Sequence, residues 1–157
     1  MKITLSSIEA IFGTLNKIAT QTPVGANAAI IGFRVAKTIK IVQTDYDAII
    51  SARKKIDETY KDKIRKDENG EPIVDDRGAA MLLPQFIEPR LNEIYSLMDS
   101  ETDVDYPTIK YSDIASNFNL TPQDYVALMP ILEDDSEEFF TKLEAMNDNP
   151  EHNTKTE

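Results

Sequence analysis

Carboxylates are the only side chains in this 157-residue chain whose numbers and spacing suit acid–base or metal chemistry. Asp103 and Asp105, two apart in an extended segment, face one side of a strand, and Glu133, Asp134, Asp135, Glu137 and Glu138 concentrate negative charge in one short run. Either set offers the hard oxygen donors that magnesium or calcium takes. Solvated faces and helix N-termini are built from the same residues, and the chain supplies no second component of a catalytic set. It has no Cys, which removes thiolate zinc sites and cysteine nucleophiles. Its one imidazole, His152, lies in the polar terminal segment, so neither a Ser-His-Asp relay nor a histidine-based metal site assembles within one chain. Asp67, Asn69, Gly70 and Asp76 have the spacing of a calcium loop, but Arg65 stands where the first carboxylate ligand is required. Five glycines at 13, 25, 32, 70 and 78 form neither phosphate-binding fingerprint. The expectation is a protein that is not an enzyme, with no catalytic residues, no cofactor and no metal site.

Charge is divided unevenly along the chain. Residues 1–66 carry 12 Lys and Arg against 6 Asp and Glu, and residues 67–157 carry 5 against 22, so +6 and −17 sum to the net −11. A net −11 and a pI near 4.5 disfavour nonspecific attraction to nucleic-acid backbones and anionic membranes. The cations of the first half, from Arg34 to Lys66, spread around a helical pattern without interleaved aromatics, which suits a solvated surface or a dock for the acidic half better than a base-stacking platform. Ser6, Ser7 and Glu9 interrupt the apolar start, and no stretch reaches the roughly 18 apolar residues of a spanning helix. These features predict a cytosolic protein without a membrane partner, in which Asn119-Leu120-Thr121 is a loop and helix start rather than a glycosylation site.

The elements that must position these charges follow from periodicity. Ser6 and Glu9 have capping-box spacing before an amphipathic helix over about 7–20, and Thr22-Pro23-Val24-Gly25 ends it. Ile31, Val35, Ile39, Val42, Tyr46, Ile49, Ile56 and Tyr60 then recur at helical offsets, predicting one basic helix over 26–66, about 60 Å long, whose far end projects. Asn69-Gly70 and Pro72 stop it. Residues 73–83 read as a hairpin about a Gly-containing turn, 85–99 as a helix, and 104–111 as an edge strand completing a small sheet with that hairpin. Thr121-Pro122-Gln123-Asp124 opens a helix that Pro130 ends or kinks, and 136–143 forms a further acidic amphipathic turn or two. No internal repeat of fixed period stands out. The fold class is α+β and mostly helical: a long N-terminal helical hairpin packed with a small antiparallel β element and short C-terminal helices. It is read as one domain over 1–146, with the acidic mixed half at 67–146 and a flexible polar tail at 147–157.

The ordered run Tyr46-Asp47, Ala52-Arg53-Lys54-Lys55, Tyr60, Lys66 to Val74, Leu91-Asn92-Glu93-Ile94, Glu101 to Asp105 and Leu120-Thr121-Pro122 resembles a family of small tailed-phage proteins classed as a domain of unknown function. The likeness spans about residues 28–133. It implies a phage or prophage product acting in the host bacterial cytoplasm and brings no catalytic residues with it.

Two kinds of function fit. One is a non-catalytic interaction protein that uses Arg53, Ile56 and Tyr60 at the protruding helix end and the acidic group Glu133, Asp134, Asp135, Glu137 and Glu138. Its partner is an unidentified host or phage protein, with self-association through the long helix as a further possibility, and in one variant the acidic half is a decoy against a nucleic-acid-binding host or defence protein. The other is an accessory nucleic-acid-binding protein using the basic helix, which the overall charge makes the weaker reading.

Overall fold

Apolar residues three and four apart build the first two helices, α1 (Leu5–Ala19) and α2 (Ala28–Tyr60), in the computed structural model, which describes residues 1–25 and 27–147. The remaining elements are β1 (Lys2–Thr4), α3 (Pro84–Asp99), β2 (Glu101–Asp103), β3 (Ile109–Lys110), α4 (Tyr111–Asn117), α5 (Pro122–Leu128), a 3-10 turn at Met129–Ile131, β4 (Leu132–Glu133) and α6 (Ser136–Asn147). The fold is α+β and mostly helical, with a long N-terminal helix pair, a small antiparallel sheet and short C-terminal helices, as the periodicity predicts. The chain forms two compact units, residues 1–12 with 41–105 and residues 13–40 with 106 onward. The division falls inside α1 and α2, so the basic and acidic halves of the sequence do not correspond to separate bodies. Of the tail expected at 147–157, Asn147 ends α6 and residues 148–157 lie outside the described residues.

In the first unit, Ile3, Ile8, Ile11, Val42, Ile49, Met98 and Val104 are buried. The ring of Phe12 stacks on Tyr46 with centroids 4.3 Å apart, and Arg53 makes a two-pronged ion pair with Glu9, at 2.8 and 3.0 Å. Glu9 therefore serves the helix pair rather than a capping box. The cap of α1 comes from Thr4, whose hydroxyl accepts from the Ser7 amide at 3.2 Å. β1 pairs antiparallel with β2, Ile3 opposite Thr102, while of the edge strand expected over 104–111 only Ile109–Lys110 forms a ladder, and it pairs with Leu132–Glu133 and not with the hairpin.

The long helix ends at Tyr60, six residues before Lys66. No Pro or Gly between Tyr60 and Gly70 forbids a longer helix, but the backbone of 63–83 finds non-local partners. Arg65 N–H donates to Met81 O at 2.7 Å, Ile73 N–H to Arg65 O at 3.0 Å and Met81 N–H to Ile73 O at 2.8 Å, closing a ring of three extended segments. Two turns with one chemistry connect them, revealing a short repeat that the sequence reading passes over. Asp67 Oδ1 accepts from the amides of Asn69 and Glu71, and Asp75 Oδ1 from those of Arg77 and Ala79, all at 2.9 Å. Gly70 and Gly78 follow with φ of 85° and 80°, backbone that disfavours a side chain. The signal is Asp-x-x-Gly recurring eight residues apart. α3 starts at Pro84, so Pro89 sits beyond the first turn, where its missing N–H leaves the Gln85 carbonyl without its usual helical donor.

In the second unit, Leu15, Ile18, Ile31, Val35, Ile114, Phe118, Leu128 and Ile131 are buried. Asn117, almost fully buried, joins two segments: its Oδ1 accepts from Gly25 N–H at 3.0 Å and its Nδ2 donates to Asp113 O at 2.9 Å. Thr121 and Asp124 cap α5 reciprocally, a full capping box where the sequence predicts the helix start. Pro130 falls in the 3-10 turn, ending α5 as expected. α4 has no counterpart in the sequence reading, and α6 runs four residues beyond the expected segment.

Lys17 also pairs with Asp124. The Lys17 ammonium, followed by the Thr121 hydroxyl and amide, lowers the Asp124 carboxyl from its ordinary 3.8 to about 2. A carboxyl lowered by folding stabilises the native state fully above its unfolded value and loses that contribution as pH falls through the folded value. Carboxyl-carbon NMR should therefore find Asp124 still ionised at pH 3, and Lys17→Ala should move its midpoint upward while the Thr121 bonds keep it below 3.8. An unchanged midpoint would exclude the ammonium as the main cause.

Candidate functional site

A parallel pair of two-residue strands organises the site in the second unit. Ile109 lies opposite Leu132 and Lys110 opposite Glu133, which sets Tyr111, at the start of α4, beside the chain that leads into α6. Ser112 fixes that chain: its amide and hydroxyl both donate to Asp135, at 2.8 and 2.5 Å. Partial burial works against the Asp135 charge, but the Ser112 bonds outweigh it and the carboxyl stays below its ordinary range. Asp134 accepts from the Ser136 hydroxyl and amide at 2.6 and 3.1 Å, which lowers it too. Both carboxylates are thus held ionised and in place at the start of α6.

Four aromatic rings meet above this joint. The Tyr111 ring lies 5.4 Å from Tyr125, 6.1 Å from Phe139 and 6.2 Å from Phe140, centroid to centroid. With Met129, Leu132, Asp134 and Ser136, three of these residues, Tyr111, Tyr125 and Phe140, line an open groove of about 590 Å³. Burial pushes the Tyr125 phenol up, with neighbouring Tyr111 adding to it, so the ring presents a neutral surface. Met129 remains 69% exposed and Phe140 50%. Asp134 is the carboxylate that lines the groove. Glu133, 3.8 Å from Lys110, and Glu137 and Glu138 in the first turn of α6 are exposed neighbours on the same segment, with Glu138 3.9 Å from Lys142 and about 160° of helical turn away from Ser136 and Phe140. Chemically the arrangement suits an apolar side chain flanked by positive charge.

Of the acidic residues singled out in the sequence, the structure sets Asp134 in the groove lining and ties Asp135 to Ser112, while Glu133, Glu137 and Glu138 lie on the same segment without lining the groove. The other three residues singled out in the sequence lie in the first unit. Arg53 is spent on Glu9, and its Nε is buried without a hydrogen-bond partner among the described residues. Ile56 is half-buried. Tyr60 is buried; its hydroxyl donates to Glu93 at 2.6 Å and its ring meets Phe86 edge-on. That hydroxyl bond to Glu93, then burial, raises the Tyr60 phenol. The expected projecting end of the helix is therefore replaced by side chains turned into their own unit.

Tyr111, Tyr125 and Met129 were not singled out by sequence reasoning as site residues. Tyr125 and Met129 belong to the apolar pattern of α5 and read as core, and Tyr111 reads as the end of a strand. Among the described residues no group of three or more His, Cys, Asp or Glu converges as a metal site, and no helix is long and apolar enough to cross a membrane. No family model, curated protein or solved structure matches this chain.

Proposed function

We propose that this is a non-catalytic phage or prophage protein that acts through protein–protein contact in the bacterial cytoplasm, with the aromatic groove as its docking site. One observation carries the reading: Met129 and Phe140 stay exposed on an apolar floor whose surrounding carboxylates are fixed by Ser112 and Ser136. Contiguous apolar surface with a polar rim is the anatomy of a binding site, and aromatic anchors at its centre dominate the affinity. Phage origin rests on the ordered likeness over residues 28–133.

The test is affinity capture from infected cells with three full-length tagged baits: wild type, Phe140→Lys and, as an exposed control on α3, Glu88→Lys. Wild type and Glu88→Lys should retain the same captured protein, while Phe140→Lys, which puts a charge on the floor, should lose it at least tenfold, a typical anchor loss of about 1.4 kcal/mol or more. Equal recovery by all three baits would remove the groove from the proposal.

The decoy reading draws on the same fixed carboxylates. It requires the captured protein to bind nucleic acid and to be released by Glu137→Lys with Glu138→Lys, or by salt, more readily than by Phe140→Lys. The nucleic-acid reading is weakened because Arg34 and Arg53 are engaged with Asp113 and Glu9.

A further inference from the structure

The second unit carries another exposed apolar surface, and its charge is opposite to that of the groove. Ile30 and Phe33, near the start of α2, are 54% and 70% exposed. Residues 28–40 contain Arg34, Lys37 and Lys40 and no carboxylate. At about 100° of rotation per residue, Ile30, Phe33, Lys37 and Lys40 occupy an arc of about 80°, turned away from the buried positions Ile31, Val35 and Thr38. Arg34 is paired with Asp113 at 3.2 Å, whereas Lys37 and Lys40 have no ion-pair partner among the described residues. The result is a ridge of two large apolar side chains bordered by two free ammonium groups. The segment that supplies Asp134, Ser136 and Phe140 to the groove, from Glu133 to Glu144, holds six carboxylates and the single cation Lys142.

We propose that the aromatic groove of one copy receives the Ile30–Phe33 ridge of a second copy, with Lys37 and Lys40 facing Asp134 of the lining and Glu137 beside it, so that this protein assembles head to tail. The inference rests on the groove being a docking site and adds its occupant. Size and charge argue for a second copy. Phe33 is an aromatic anchor for a floor made of Tyr111, Tyr125 and Phe140, and the ridge supplies the positive flank that the rim requires. The two surfaces differ, so each pairing leaves one ridge and one groove open, and assembly continues to a ring or an open chain instead of stopping at a symmetric dimer.

Light scattering coupled to size exclusion, on the full chain from low micromolar to submillimolar concentration, tests this. Wild type should rise past two copies with concentration at low salt and return towards monomer as salt increases. Phe33→Glu and Phe140→Lys should each remain monomeric alone, with unchanged circular dichroism because both side chains are exposed. Mixed in equal amounts, they should form a 1:1 dimer that grows no further, since one retains a groove and the other a ridge. A wild type monomeric at every concentration, an assembly that neither variant disrupts, or a mixture that stays monomeric would each overturn the inference. If wild type is monomeric while cellular capture still depends on Phe140, head-to-tail assembly falls and the docking role of the groove stands. If capture is indifferent to Phe140 as well, both fall.

Discussion

Leu128→Ala is expected to destabilise the second unit by about 3 kcal/mol, the middle of the range for emptying a fully buried leucine site. Leu128 has no exposed surface and ends α5 where the chain tightens into the 3-10 turn Met129–Ile131. The truncation removes apolar contacts and leaves a cavity that this joint, fixed on one side by the Thr121–Asp124 cap, cannot readily close. Leu128→Met, which roughly conserves volume, should cost less than about 1.5 kcal/mol. Urea unfolding monitored by circular dichroism checks both. A Leu128→Ala midpoint within error of wild type would show that the unit relaxes freely at this joint. The groove should suffer in parallel, since Tyr125 and Met129 flank Leu128 in sequence and line the groove.

Asn117→Ala should cost about 2 kcal/mol for a different reason. The side chain is 3% exposed and satisfies two backbone groups far apart in sequence, the Gly25 amide and the Asp113 carbonyl. Alanine leaves the part-buried Gly25 N–H without its acceptor, and an unsatisfied buried donor costs about 1–3 kcal/mol. Gly25→Ala probes the same contact from the other side. An added Cβ would lie 2.8 Å from Asn117 Oδ1, too close for the hydrogen bond to survive unchanged. The two substitutions disturb one interaction, so their effects should fall short of additive in a double-mutant cycle. Full additivity in urea unfolding would show that the Gly25–Asn117 bond is not what either change removes.

The limits of local pattern show in particular elements. The start of α5 was legible because Thr121, Pro122 and Asp124 carry cap, first-turn and dipole chemistry within four consecutive positions. The end of α2 was not. The helical pattern from Ile31 to Tyr60 is broken only at Arg53 and no Pro or Gly follows before Gly70, so stopping at Tyr60 depends on Arg65 finding the backbone of Ile73 and Met81. α4 was missed because it has seven residues and only Ile114 and Asn117 buried, too few for a helical stripe to register. The acidic rim was visible as a charge run, but its aromatic floor is drawn from α4, α5, the 3-10 turn and α6, whose side chains converge only after folding.

By itself the sequence determined the mostly helical α+β class, the long amphipathic α2, the cap of α5 and the opposed charges of its two halves, because each depends on neighbours within a few turns of chain. The tertiary structure alone decided that α1 and α2 each contribute to two units, that residues 63–83 close into a ring, that Tyr60 turns inward, and that Tyr111, Tyr125 and Phe140 meet. Those outcomes are set by hydrogen bonds and ring contacts between residues far apart in the chain, where helical or strand periodicity carries no information about which partner is chosen.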